Sequence, residues 1–368
     1  MTDLSRRSAL GLAAAMTVAP TARAAPAVDV AHPALARPLT RIAFGACAKQ
    51  DKDQPIWDAV LAAKPDLFIF LGDNIYADTR DPAVMAAKYA MLAAKPGFRK
   101  LRETTPVLAI WDDHDYGEDD AGADYPMKAE SRRQFCDFWG EAATSPRRVR
   151  EGIHAAYVFG PAGRRVQVIL PDLRWNRTPI QKLDGVEYKA WSDAKAAAGA
   201  PVPGPYARNP DLRATMLGEA QWSWLDAQLR QPADLRILGS SLQVLADFAG
   251  WEGWINYARD HQRLLETIRD ARADRLICIS GDTHYGEISR LDVNTPYPIW
   301  DITSSGLTEV WPVTPPNALR LGEVWRGRNF GLIEIDWSAR APRLRVEVRD
   351  ETGVARLGVT IDTATLQV

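Results

Sequence analysis

The sequence lacks features that would identify several common classes of protein. No run of about 18 apolar residues follows the N-terminal segment, so the mature chain is not expected to span a membrane. Neither sign of charge is in excess, with 45 Lys and Arg against 47 Asp and Glu, so no nucleic acid is expected as a partner. With 46% hydrophobic and 25% charged residues, the 368-residue chain is typical of a globular protein with a large core.

Cysteine is scarce and its number is odd, so at least one of Cys47, Cys136 and Cys278 must be unpaired within the chain. Cys278 lies in an apolar run and Cys136 in a predicted helix, which favours core packing for both, although a disulfide between them stays open. Cys47 differs, because it follows a strand-like run and a Gly-Ala pair. This position favours a chemical role for its thiol.

Three catalytic motifs are also absent. The chain contains no G-x-S-x-G elbow, no G-x-x-x-x-G-K-[ST] loop and no H-E-x-x-H pair. Residue types alone leave a glycosidase with two carboxylates open. Such an enzyme would not need Cys47, Tyr76 and histidines beside aspartates.

The first 24 residues have the pattern of a twin-arginine export signal. Arg6 and Arg7 precede a weakly apolar run at 9–19, and the segment ends in an A-x-A site at 22–24. We therefore expect the twin-arginine export machinery as a partner, with the mature protein in the periplasm or secreted. Residues 25–39 are predicted to be a flexible lead-in, and residues 40–368 a single domain.

Short apolar runs alternate with helical patterns along this domain. Such alternation predicts an α/β fold with helices packed against a sheet, and three C-terminal runs predict antiparallel strands in a second sheet or at its edge. The predicted strands are 42–44, 66–71, 107–111, 166–170, 235–238, 276–279, 299–303, 332–335, 343–348 and 357–361. The predicted helices are 54–63, 82–92, 131–139, 218–230 and 257–272, and residues 194–209 are expected to form a surface excursion near the site.

Polar side chains collect where the predicted strands end. Aspartates follow four strands, at 73–78, 112–120, 172 and 282, and two of the five histidines lie beside them. Ligands bind at the carboxyl ends of strands in open α/β sheets. Because carboxylates packed together need a cation to stay ionised, the pattern predicts a metal site.

Several of these strings resemble the alkaline phosphatase D (PhoD-like) family of metallophosphoesterases, over nearly the whole mature chain. The resemblance implies a four-layer α/β/β/α sandwich that hydrolyses phosphate mono- and diesters at an iron(III) and calcium centre. The matching strings are FGACA at 44–48, LGDNIY at 71–76, WDDHD at 111–115, LGEAQW at 217–222, SSLQV at 240–244, SGDTHY at 280–285 and ITSSGL at 302–307.

The resemblance also suggests how the metal ligands are shared. Asp73 is placed to bridge two ions. Cys47, Tyr76 and His284 would complete the iron(III) site, since a thiolate, a phenolate and a carboxylate favour a highly charged ion. Asp113 and Asp282 would offer hard oxygen ligands to calcium rather than zinc. We expect one iron and one or two calcium ions per chain.

Two further residues are expected to act on the substrate during attack by a metal-activated hydroxide. His114 would protonate the leaving oxygen, and Arg174 would clamp a phosphoryl oxygen. The family's usual Leu-Asp-Thr-Arg reads Pro-Asp-Leu-Arg at 171–174. Four more polar residues are expected around the ligands or as additional metal or phosphate contacts: Asn74, Asp112, Asp119 and Asp172.

The expected function is hydrolysis of a small phosphate ester or of a cell-envelope phosphodiester. One alternative is a non-catalytic, calcium-binding exported protein in which Trp251 or Trp254 holds a ligand such as a sugar. A second alternative keeps the hydrolase fold but acts on another ester, such as a sulfate. The residues leave the natural substrate open.

Overall fold

The computed structural model of the protein describes residues 29–30, 32, 34, 36–200, 202, 204–247 and 250–368. Within them the strands are β1 (Arg41–Gly45), β2 (Leu67–Leu71), β3 (Val107–Ile110), β4 (Ala155–Phe159), β5 (Val166–Leu170), β6 (Gln181–Lys182), β7 (Tyr206–Ala207), β8 (Leu235–Ser240), β9 (Leu276–Ser280), β10 (Gly286–Leu291), β11 (Ile299–Ser304), β12 (Asn329–Asp336), β13 (Arg343–Asp350) and β14 (Ala355–Asp362).

Eight α-helices connect or cover these strands in the same ranges. They are α1 (Ile56–Ala62), α2 (Pro82–Ala94), α3 (Pro96–Thr104), α4 (Asp113–Tyr116), α5 (Lys128–Trp139), α6 (Gly185–Ala197), α7 (Gly218–Leu229) and α8 (Ala258–Asp270). No helix in the described ranges is long and apolar enough to cross a membrane.

The strands form two six-stranded mixed sheets. The first has the order β14-β13-β12-β1-β2-β3, and the second has the order β10-β11-β9-β8-β5-β4. A small hairpin pairs β6 with β7. In the first sheet β1, β2 and β3 are parallel, and in the second β5, β8, β9 and β11 are parallel. The carboxyl ends of parallel strands in one sheet meet at one edge.

The two sheets pack face to face, with helices on their outer faces. Gly239 of β8 lies where an added Cβ would meet the Leu71 side chain of β2 at 3.0 Å, so the sheets approach closely there. Outside the first sheet, Trp57 of α1 packs on Phe68 and Phe70 of β2, at ring distances of 5.6 and 5.7 Å. On the second sheet, Gln167 of β5 donates to a carbonyl of α7 at 2.7 Å. These layers confirm the predicted α/β/β/α sandwich.

The C-terminal hairpins belong to the first sheet. β12 pairs antiparallel with β1 and continues through β13 to β14. The sequence pattern indicated antiparallel strands there, and the structure shows that they extend the sheet that carries β1. The predicted strands and helices agree with the structure to within a few residues, but the pattern missed β4, β6, β7, β10, α3, α4 and α6.

The described residues of the expected lead-in pack on the domain. Asp29 pairs with Arg150 at 3.0 Å and accepts the Ala156 backbone N–H at 2.9 Å. Val30 and Leu39 are buried in the core. These residues are therefore part of the folded unit, in place of the flexible lead-in that we expected. The predicted export signal at 1–24 lies outside the described residues.

The three cysteines are buried and free. Cys278 lies in β9, and Cys136 in α5 contacts the carbonyl of Arg147 at 3.7 Å. These two thiols are not bonded to each other, so the disulfide that the sequence left open does not form. Cys47 alone lies at the edge where strand ends meet.

Candidate metal centre

Three neighbouring loops deliver candidate ligands from the first sheet. Cys47 lies two residues after β1, Asp73 two residues after β2, and Asp113 opens α4 three residues after β3. Because β1, β2 and β3 are parallel neighbours, these loops emerge side by side. The Cys47 and Ala48 N–H groups donate to the carbonyls of Gly72 and Asp73 at 3.3 and 2.9 Å, which ties the first two loops together.

The second sheet contributes the opposite side of the site. Asp282 and His284 lie two and four residues after β9, and Ser305 directly follows β11. The Cys47 thiol lies 3.7 Å from the Asp282 carbonyl, so the two sheets meet at this point. The site is assembled from strand ends of both sheets.

Several candidate ligands have backbone conformations that side-chain-bearing residues rarely adopt. The φ angles are 63° at Cys47, 49° at Asp73, 72° at Asp282 and 60° at His284. Such left-handed residues cost free energy and persist where the surrounding fold determines them, often at functional sites. At Gly72, where φ is 104°, an added Cβ would lie 2.6 Å from the Asp112 side chain. The strand-to-loop turns thus aim these side chains inward.

Cys47, Asp73, Tyr76 and His284 form a compact cluster. The Cys47 Sγ and the Tyr76 hydroxyl each lie 3.3 Å from Asp73 Oδ2. The same hydroxyl lies 3.1 Å from His284 Nε2. Ligand atoms of Cys47, Asp73 and His284 lie within 4.8 Å of one another, which is close enough to share one ion. The structure therefore brings together the four residues expected around iron.

Burial determines the protonation of this cluster when no cation is present. It raises the pKa of the Cys47 thiol and of the Tyr76 hydroxyl well above their usual values, and the Asp73 charge adds to both effects. Burial also raises the pKa of Asp73 and lowers that of His284 to about 4. A cation would reverse the preference of the acids for their neutral forms.

A second group of carboxylates adjoins the cluster. Ligand atoms of Asp73, Asp113 and His114 lie within 4.8 Å of one another, as do those of Asp113, Asp119 and Asp120. Asp113 Oδ2 accepts the backbone N–H of Asp120 at 2.8 Å, which fixes the orientation of its carboxylate. Burial would raise the pKa of Asp113, but Arg174 and His114 hold it below its usual range. Asp113 is therefore held in its ionised form, which is the form that can bind a cation.

Asp282 lines the same cavity as Asp113 and His284 but belongs to neither group of adjacent ligand atoms among the described residues. Burial, followed by the charges of Asp112 and Asp113, raises its pKa well above the usual value. An Asp held this way is ionised only when a cation offsets the neighbouring charge.

His114 lies over the cluster with one ring nitrogen already engaged. Its Nδ1 is 2.6 Å from Asp78 Oδ1, and its ring packs on that of Tyr76 with centroids 4.2 Å apart. Burial opposes protonation of this imidazole, but Asp73, Asp113 and Asp78 raise its pKa to about 11. His114 is thus held as a cation that lines the cavity.

Arg174 does not reach the cavity in this structure. Its side chain is 0% exposed, its Nε donates to Asp112 Oδ1 at 2.6 Å, and its terminal nitrogens donate to Glu252 at 2.7 and 3.1 Å. One of them also lies 3.5 Å from Asp113 Oδ1. Arg177 shares Glu252 with it. The guanidinium thus holds carboxylates behind the site, in place of the expected contact with a phosphoryl oxygen.

Asn74 is buried directly behind Asp73. Its amide nitrogen donates to the Ile110 carbonyl at 2.9 Å and to the Asp115 carboxylate, while its Oδ1 has no hydrogen-bond partner in the described structure. The donor side of the amide is therefore fixed, and its oxygen remains available to a ligand.

The carboxylates of Asp112 and Asp172 hydrogen-bond to other residues of the protein and do not line the cavity. Asp112 Oδ1 accepts from Ser241 at 2.7 Å in addition to Arg174. Asp172 is fully buried, and its carboxylate accepts backbone N–H groups of Ile153, Arg174 and Trp175 at 2.8 to 3.0 Å. These bonds fix the turn that carries Arg174.

The residues around the site enclose a cavity of about 260 Å³. Besides candidate ligands, it is lined by Tyr206, Trp251 and Trp311. Trp254, considered with Trp251 as a ligand-binding residue, is instead fully buried and donates to Ser240 at 3.0 Å. The surface excursion expected at 194–209 does reach the site, because Tyr206 donates to Asp120 at 2.6 Å.

Sequence reasoning missed several residues that organise the site. Asp78 lies in the same string as Asp73 and Tyr76, so its position after β2 was a usable signal. Glu252 and Arg177 contact Arg174 only through the fold, and no local pattern marks them. Trp311 follows the string that contains Ser305, but nothing in the sequence pairs it with Trp251.

Comparison with known proteins identifies the family of the chain. The family model described as PhoD-like phosphatase matches residues 42–321. The solved structure titled "Structure of PhoD" aligns with a TM-score of 0.66 and 14% identity, over 92% of this chain and 73% of that chain. A dimetal phosphatase from Danio rerio aligns with a TM-score of 0.51 and 17% identity, over 89% of this chain and 100% of that chain. The protein GAP50, titled the anchor in the inner membrane complex of Plasmodium, aligns with a TM-score of 0.52 and 12% identity, over 89% of each chain.

At these identities the solved structures establish a shared fold only, and no curated protein sequence shows significant similarity. The family match carries the assignment, because residues 42–321 include every candidate ligand from Cys47 to His284 and more than half of the chain. The chain therefore belongs to the PhoD-like phosphatase family, and it is a metal-dependent phosphoric ester hydrolase.

Proposed function

We propose that the protein hydrolyses phosphate mono- or diesters at a mixed centre of iron(III) and calcium. The observation that carries this proposal is the cluster of a thiol, a phenol, a carboxylate and an imidazole from Cys47, Tyr76, Asp73 and His284. Thiolate and phenolate ligands together favour a highly charged, redox-capable ion over calcium or magnesium.

The donor atoms at the site fit such ions. Asp73 Oδ1, Asn74 Oδ1 and Asp113 Oδ1 are buried without a hydrogen-bond partner in the described structure. Unsatisfied buried oxygens are costly, and several in one place are satisfied together by a cation. Asp73 belongs to two of the three groups of adjacent ligand atoms in the described structure, one with Cys47 and one with Asp113, which supports a bridging role.

Oxygen donors dominate the second site. Asp113, Asp282 and the Asn74 amide oxygen offer hard ligands of the kind that calcium prefers. Asp119 and Asp120, which lie beside Asp113 within 4.8 Å, could hold a further calcium ion. We therefore propose one iron and one or two calcium ions, with zinc disfavoured by the number of oxygen ligands.

Bound metal would supply Lewis acidity and a nucleophile at neutral pH. The chain's own residues provide proton transfer and orientation. His114, oriented by Asp78 through Nδ1, presents a protonated imidazole toward the cavity and donates a proton to the leaving oxygen. Arg174 positions Asp112 and Asp113 and does not itself contact substrate.

The proposed setting is outside the cytoplasm. The twin-arginine pattern at 1–24 supports export in a folded state by the twin-arginine machinery, to the periplasm or the medium. Export of a folded chain suits a protein that acquires metal before it crosses the membrane. The substrate would be a small phosphate ester or a cell-envelope phosphodiester.

Metal analysis of natively exported protein, purified without added metal or chelator, tests the centre. We expect about one iron per chain with one or two calcium ions, and a visible absorption band from phenolate bound to iron(III). Y76F should abolish or shift that band, and C47S should weaken iron retention. Y89F is the matched control, because Tyr89 is buried in α2 away from the site.

Activity toward bis(p-nitrophenyl) phosphate, lost on chelation and restored by iron and calcium, tests the reaction. A protein that retains zinc or manganese but no iron would overturn the iron assignment while keeping the phosphoesterase. Faster turnover of p-nitrophenyl sulfate than of the phosphate esters would overturn the substrate class.

A further inference from the structure

Three aromatic rings form one wall of the cavity that holds the candidate ligands. Tyr206 and Trp251 meet at a centroid distance of 6.2 Å and an interplanar angle of 84°, and Trp251 meets Trp311 at 5.7 Å and 73°. Trp311 is 38% exposed, although it is large and apolar. These near-perpendicular contacts create a corner with an open aromatic face, which we call the aromatic corner (Tyr206, Trp251 and Trp311).

The aromatic corner is tied to the loops of the metal centre. The Trp311 backbone N–H donates to the His284 carbonyl at 3.0 Å, and the rings of these residues are 6.3 Å apart. Tyr206 donates to Asp120 at 2.6 Å, and its N–H donates to the carbonyl of Gly250, next to Trp251. The rings therefore have a set position relative to a phosphoryl group bound at the ligands.

The charges around the cavity limit what else can bind there. No Lys or Arg is among the described residues that line it. Among those residues His114 is held as a cation, and its Nδ1 is already engaged by Asp78 at 2.6 Å. A second phosphate or a carboxylate on the organic group would therefore find no unpaired Lys or Arg to receive it. The two acids nearest the corner are already paired, Glu252 with Arg174 and Arg177, and Asp120 with Lys182 at 2.6 Å. The other acids that line the cavity, Asp113, Asp119 and Asp282, are the proposed calcium ligands, so a cationic group would compete with metal ions for them.

We propose that the aromatic corner is a subsite for a flat, uncharged aromatic group esterified to the substrate phosphate. This inference rests on the proposed phosphoesterase function and specifies its substrate class. Aromatic faces bind flat rings through area burial and edge contacts, and a rigid tryptophan loses little entropy when it does so. Esters with an anionic organic part are the class that this site disfavours.

Binding of non-hydrolysable phosphonates tests the subsite without relying on turnover. Calorimetry on the metal-loaded protein compares phenylphosphonate with methylphosphonate, 3-phosphonopropionate and 2-(trimethylammonio)ethylphosphonate. We expect phenylphosphonate to bind about tenfold more tightly than methylphosphonate, and 3-phosphonopropionate to bind no better than methylphosphonate. W311A should reduce the phenyl-to-methyl affinity ratio to about twofold, and W311F should restore part of it.

W191A is the matched control. Trp191 on α6 is 39% exposed, as Trp311 is, but it is not among the residues that line the cavity. Its removal should leave the ratio unchanged.

Equal affinities for phenyl- and methylphosphonate, or a larger gain for the trimethylammonium compound that depends on Trp311, would overturn the subsite. Turnover of bis(p-nitrophenyl) phosphate is measured on the same samples. Its absence in the metal-loaded protein would overturn the proposed function, whereas turnover with equal affinities would overturn the subsite alone.

Discussion

Ser305 Oγ lies 3.0 Å from Cys47 Sγ. The same oxygen accepts the backbone N–H of His284 at 3.1 Å. If Cys47 binds a metal ion as a thiolate, Ser305 is the donor of its hydrogen bond to the sulfur, because a thiolate has no proton to give. One hydroxyl therefore connects two candidate iron ligands that come from different sheets. Groups that hydrogen-bond to metal ligands orient them and tune the metal.

S305A should weaken iron binding by about tenfold and move any sulfur-to-iron absorption band to lower energy. The reason is that loss of the donor raises the energy of the sulfur lone pairs. Competition with a chelator measures the affinity, and the visible spectrum measures the band. S304A is the control, since Ser304 is equally buried but donates to Asn329 instead of sulfur. Equal effects of both variants would show that Ser305 acts only through packing.

H114N should slow hydrolysis according to how much the leaving group needs a proton. We expect a loss of about 10²- to 10⁴-fold with glycerol 2-phosphate, and less than about tenfold with p-nitrophenyl phosphate, whose leaving group departs as a stable anion. Released phosphate measures both reactions. D78N, which removes the partner of His114 Nδ1, should show a smaller loss of the same kind. A uniform loss with both esters would instead indicate a role in metal or substrate binding.

R174A should destabilise the protein, because it leaves Asp112 buried without its cation and Glu252 with Arg177 alone. Breaking a buried ion pair by removing one partner costs roughly 3–5 kcal/mol of the free energy of unfolding. Urea unfolding of R174A and R174K measures this loss, and R174K should retain part of the stability. Normal stability with a raised KM would restore the interpretation of Arg174 as a phosphoryl clamp.

His154 should make the folded state sensitive to acid. Its ring packs on Trp224 with centroids 4.5 Å apart, and burial, reinforced by Arg150 and Arg147, lowers its pKa to about 2. Between the unfolded pKa near 6.5 and this value, only the unfolded chain takes up the proton, so stability falls as pH falls.

Between pH 8 and pH 5, the free energy of unfolding should fall by about 2 kcal/mol less in H154F than in the wild type. Urea unfolding at both pH values gives the difference between the variant and the wild type. The slope should flatten without vanishing, because burial also lowers the pKa of His261, to about 4. Identical pH dependence in the two proteins would mean that His154 is protonated in the folded state.

The candidate residues that follow strand ends in the sequence are brought together by the structure. Cys47, Asp73, Asp113 and His284 were identifiable because parallel strands bring their carboxyl ends together, and a chain position is enough to locate such residues. Glu252 could not be identified in this way, since it meets Arg174 only after two distant segments fold onto one another. The buried position of Arg174 was missed for the same reason.

The hydrophobic pattern of the sequence also failed to predict some elements whose stability depends on the rest of the fold. Helix α6 has no buried residue, so no apolar stripe marked it. Strand β10 is held by pairing with β11, and its run from Gly286 to Leu291 includes a buried Glu287 that ion-pairs with Arg320 at 2.6 Å. Because the strand contains this charged residue, a search for hydrophobic runs did not predict it.

The candidate ligands are divided between the two sheets, which constrains when a metal ion can bind during folding. Cys47 and His284 are separated by most of the chain and meet only when β1 and β9 lie in sheets packed face to face. A chain still emerging from the ribosome, or threaded unfolded through a pore, has no place to capture an ion that needs both residues. The proposed iron ion would therefore be held by both residues only where the two sheets have packed, so the compartment in which the chain folds would decide which ions it can select.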